Sequence, residues 1–65
     1  MIPSQKDIDG AYAVKIYLDN HPYRQVSISL LVEHTGLPEV RLKEAFLYQF
    51  QVSLESYTQR LLGRN

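Results

Sequence analysis

The sequence has 65 residues, room for one domain, and its apolar fraction of 45% is that of a globular rather than a disordered chain. With no cysteine there is no disulfide framework, thiolate ligand or thiolate nucleophile, and a reducing, cytoplasmic compartment fits. Seven basic residues balance seven acidic ones, which counts against a partner held mainly by charge, such as the phosphates of DNA.

Met1 to Ser4 reads as a frayed start, because Pro3 is hostile to a helix interior. It shows no basic stretch followed by an apolar one, so no signal peptide is expected, and no apolar run is long enough to cross a bilayer. Ser4 is a cap for a first helix, and Asp7 suits the positive end of its dipole. The helical pattern then runs to about Asn20. One row holds Ala13, Ile16, Tyr17 and Asn20, and a second holds Ile8, Tyr12 and Ile16. Apolar residues around much of the cylinder suggest packing on more than one side. Gly10 weakens the early part by about 1 kcal/mol relative to alanine. Pro22 disfavours helical geometry at His21 and marks the break.

A second helix starts after Ser27, a cap flanked by a hydrophobic staple of Val26 with Leu31. It ends at Thr35-Gly36, where glycine can take the left-handed conformation that closes a helix. Leu37 plugs the turn from inside, and Pro38 suits the first position of a third helix. That helix runs from Pro38 to about Phe50. Leu42, Ala45, Phe46, Gln49 and Phe50 lie on one side; Val40, Arg41, Lys43, Glu44, Leu47 and Tyr48 lie on the other. The start device then recurs: Ser53 caps a fourth helix, through Leu61 or Leu62, and Val52 staples to Tyr57. The expected fold is an all-α bundle of about four helices, near 5–20, 28–35, 38–50 and 54–62, containing a helix-turn-helix.

Ser27-Ile28, Leu31-Val32, Gly36, Leu42 with Phe46, and Ser53 with Tyr57 together give a spacing that resembles the first helix-turn-helix of the AraC/XylS family of bacterial transcription regulators. The segment ending Tyr17-Leu18-Asp19-Asn20 is similar to the family's leading helix. The chain departs from the family pattern at Pro38, where serine is usual, and at Gln51, where glycine is usual. The resemblance implies a DNA-binding domain whose third helix enters the major groove. Val40, Lys43 and Glu44 would then lie near base edges, Arg41 near phosphate, and the Ser27 and Ser29 end of the second helix against the backbone. The positions corresponding to Leu47 and Tyr48 are often lysine in the family. The family's DNA-binding unit has two such halves joined by a long helix, and this sequence corresponds to the first. Duplex DNA would therefore be bound weakly by this half alone.

The residues themselves leave other readings open. A helix-turn-helix is also a plain packing solution for three helices. Lys15 and Arg24 are flanking cations, and Gln49 and Gln51 are able to hydrogen-bond bases or backbone. Glu44 is repelled by phosphates, although a carboxylate accepts a hydrogen bond from cytosine N4. Lys43 stands four residues after Glu39, the favourable order for an intrahelical pair. Val40, Leu47 and Tyr48 on an outward face form a patch for a protein partner, whether a second copy or another regulator. This gives the alternative of an interaction module without independent DNA binding. His21 and His34 lack further ligands at metal spacing, and no glycine elbow or phosphate-cradling loop is present. No enzyme activity, cofactor or metal is expected. The tyrosines read as core filler with a surface hydroxyl.

Overall fold

The computed structural model describes residues 2–21 and 26–62. Its four helices are α1 (Gln5–Asn20), α2 (Ile28–Thr35), α3 (Glu39–Phe50) and α4 (Leu54–Leu62), and the described residues contain no strand. The bundle expected from the sequence is the one observed.

Local chemistry sets the boundaries. The hydroxyl oxygens of Ser4, Ser27 and Ser53 accept from the backbone N–H groups of Asp7, Leu30 and Ser56, at 3.2, 3.2 and 3.1 Å. Each bond satisfies an N–H that a helix start would otherwise leave without a partner. Gly36 closes α2 with φ 74° and donates its N–H to the Val32 carbonyl. Pro38 stands one position earlier than expected. It is the N-cap of α3, with ψ 148° and its carbonyl accepting from Leu42, so the helix proper begins at Glu39. Gln51 closes α3 at φ 60°, the glycine-like conformation, and its Nε2 donates to the Tyr48 carbonyl at 2.8 Å.

The core is built from Ala11, Val14 and Leu18 of α1, Leu31 of α2, Leu37 of the turn, Leu42, Ala45 and Phe46 of α3, and Leu54 and Leu61 of α4. Tyr17 and Tyr57 pack against it, as does the staple residue Val26. Phe46 and Leu42 are fully enclosed, as the register of α3 requires.

Helix α1 corrects the sequence reading. Its buried face is Asp7, Ala11, Val14 and Leu18, not the rows through Ile16 and Tyr12, which are 60% and 45% exposed. The cause is size. Where α1 meets α3 and the turn, Gly10 and Ala11 carry little or no side chain, so the backbones approach closely and the larger residues stand at the rim. A Cβ at Gly10 would sit 2.4 Å from Cδ1 of buried Leu37. Gly10 is therefore where the turn residue seats on α1, and not only a weak point in a helix. Packing on more than one side is correct: α1 lies most extensively on α3 and also touches α2 and α4.

Candidate nucleic-acid interface

The helix-turn-helix is α2, the left-handed Gly36 and α3. Leu37 points inward at 2% exposure and fixes the angle of the turn. Because Leu42, Ala45 and Phe46 face the core, helical spacing directs Val40, Glu44 and Leu47 away from it. Val40 is 67% and Leu47 52% exposed, with Tyr48 beside them. The Glu44 side chain is exposed and makes no hydrogen bond or ion pair among the described residues. Ser29 is also exposed, and the Ser27 hydroxyl is engaged in capping α2.

The cations are arranged differently from the sequence expectation. Arg41 turns away from the outer face of α3 toward the first turn of α1. Its Nη2 donates to Asp7 Oδ1 at 2.6 Å and its Nε to Oδ2 at 3.3 Å, a two-point grip on one carboxylate. These hydrogen bonds and the guanidinium charge hold the Asp7 carboxyl below its ordinary range against the desolvation that raises it, with help from Ser4. Lys43 does pair with Glu39, at 2.9 Å, but also with Glu55 of α4, at 2.8 Å. The two carboxylates, Glu55 first, raise the lysine above its ordinary value. Lys15 pairs with Asp19 at 2.8 Å and lies 5.8 Å from the ring centroids of both Phe50 and Tyr57. Arg24 lies outside the described residues. Of the described Lys and Arg side chains, Lys6 and Arg60 are the ones outside these pairs.

The glutamines also have internal duties. Gln49 donates to the Tyr12 hydroxyl at 2.8 Å, and Gln51 caps α3. Both histidines pack on Tyr17, with ring centroids 4.8 Å (His21) and 5.4 Å (His34) away. Among the described residues no group of three or more His, Cys, Asp or Glu side chains is placed to hold a metal, and no helix is long and apolar enough to cross a membrane. A shallow depression beside the Arg41–Asp7 pair is lined by Pro3, Asp7, Arg41 and Glu44.

Sequence reasoning thus placed the outward residues of α3 but missed the acidic partners Asp7 and Glu55. Asp7 lies 34 positions from Arg41, a distance at which no local pattern signals a contact. Comparison with known protein families, curated proteins and solved structures gave no match.

Proposed function

We propose that this chain is a DNA-binding domain of a transcription regulator, of the AraC/XylS helix-turn-helix type, with α3 as its reading helix. The observation that supports this reading most is the α2–Gly36–α3 turn. Together with inward Leu37, it leaves the outer face of α3 uncovered by any other described element, as entry into a major groove requires. Val40, Glu44 and Leu47 face base edges, and the α2 start with Ser27 and Ser29 faces the backbone. Because Arg41 and Lys43 are already paired, phosphate attraction is small. Affinity falls in the roughly 10⁻⁴ to 10⁻⁶ M range of weak, non-specific binders until a second half or a second copy adds contacts.

The paired cations, with Val40, Leu47 and Tyr48 exposed together, favour a second reading: a protein-interaction module that uses α3 without binding DNA. One experiment separates them. A labelled duplex is titrated at low and at moderate salt, beside a sizing measurement of wild type and Leu47→Asp. DNA binding is expected to weaken as salt rises and to survive as a monomer. Absence of duplex binding at low salt, together with a wild-type dimer that Leu47→Asp makes monomeric, would replace the first reading by the second.

A further inference from the structure

We propose that α3 selects pyrimidines in the major groove, with Glu44 accepting from a cytosine and Val40 and Leu47 contacting thymine methyl groups. The inference rests on the DNA-binding reading above and adds the identity of the bases.

The argument begins with what the outer face of α3 offers. Guanine presents two acceptors in the major groove, N7 and O6, and needs a donor such as arginine or lysine. The α3 side chains of that kind are Arg41 and Lys43. Arg41 is gripped by Asp7 on one flank, and Lys43 is held between Glu39 and Glu55 on the other. The centre of the face is left to Val40, Glu44 and Leu47. An ionised carboxylate only accepts hydrogen bonds. Cytosine shows an N4 donor and no acceptor on its major-groove edge, whereas adenine sets an N7 acceptor beside its N6 donor and repels a carboxylate. Glu44 has no hydrogen-bond or ion-pair partner among the described residues and projects from the outer face of α3, in its first half. Val40 and Leu47 bracket it at i−4 and i+3, and their apolar surfaces match the thymine C5-methyl. From Val40 to Leu47 the helix rises about 10 Å. At roughly 3.4 Å per base pair that length matches about three base pairs, a cytosine with thymines at its sides.

The test uses the whole 65-residue chain at low salt with four labelled duplexes. One carries a thymine–cytosine–thymine core. A second has uracil for each core thymine, which removes only the methyl groups. In the third the core cytosine is exchanged for adenine, and the fourth is a G·C-only control. Wild type is expected to bind the first duplex roughly tenfold more tightly than the adenine duplex, a modest value for a base contact, and to lose affinity both on uracil and on the G·C duplex, which keeps cytosine but offers no methyl groups. Glu44→Gln removes no internal contact, so the fold is retained, as circular dichroism will report. Because an amide both donates and accepts, its preference is expected to move from the cytosine to the adenine duplex. Equal binding of all four duplexes by both proteins would overturn the base selection while leaving DNA binding in place. Binding to none of them would overturn both.

Discussion

Two residues close helices in the left-handed region, and they pose different problems. Gly36, at φ 74°, has no atom within 4 Å of the position a Cβ would take, so its requirement is the backbone angle alone. Gln51 adopts φ 60° although it carries a side chain, which costs about 1–2 kcal/mol relative to glycine. Its own amide bond to the Tyr48 carbonyl offsets part of that strain. Gln51→Gly is therefore expected to stabilise the domain slightly, by at most about 1 kcal/mol, because the lost amide bond and the greater freedom of the unfolded glycine chain offset most of the relief. A urea titration checks this, and an unchanged or lower midpoint would contradict it. The family resemblance flagged the position by its usual glycine; the structure supplies the reason.

At the scale of elements, the helix ends were legible and the faces only partly so. Ser4, Ser27, Ser53 and Gly36 act on backbone groups within four residues of themselves, so a linear sequence carries that information. The α3 face was legible because Leu42 and Phe46 are large and sit one turn apart. The α1 face was not, because its contact residues Gly10, Ala11 and Val14 are small and the eye follows Tyr12 and Ile16 instead. The Asp7–Arg41 clamp between these two helices was invisible for the same kind of reason, being decided by tertiary approach. It has a pH signature. Asp7 has a folded pKa below its ordinary 3.8, so its contribution to stability is complete above that value and disappears as pH falls through the lower folded one. The gap in melting temperature between wild type and Asp7→Asn is expected to stay constant from about pH 8 to 5 and to shrink only below about pH 4. A gap that closes near neutrality would mean that another group is responsible.

For the whole molecule, neutral composition and function are linked through where the charges sit. A balanced count of Lys, Arg, Asp and Glu permits two arrangements: a segregated basic stripe or internal neutralisation. The described residues show the second at Lys15, Arg41 and Lys43, each with a carboxylate within 3 Å. Composition alone could not distinguish these, since the partners lie on different helices for Arg41 and for the Lys43–Glu55 pair. On the DNA-binding reading proposed above, pairing of these cations is expected to leave few phosphate contacts and so a smaller salt dependence than that of a basic domain. The fold was legible because it follows from periodicity and caps; of the candidate interface the outward residues of α3 were legible and the pairing of its cations was not.

The seating of Leu37 on Gly10 also bears on the order of folding events. These residues are 27 positions apart in the chain, whereas α2, the turn and α3 are contiguous, so loop closure favours the helix-turn-helix first and the docking of α1 later. Gly10→Ala adds about 1 kcal/mol of helix propensity but forces buried Leu37 to move, and overpacking of that kind costs about 1–3 kcal/mol. The net loss is expected to fall on a contact made after the rate-limiting barrier. In stopped-flow denaturant jumps the variant is expected to unfold faster while refolding at nearly the wild-type rate. Slower refolding with unchanged unfolding would place α1 in the nucleus instead, and the turn would then owe its early formation to the helix it leans on.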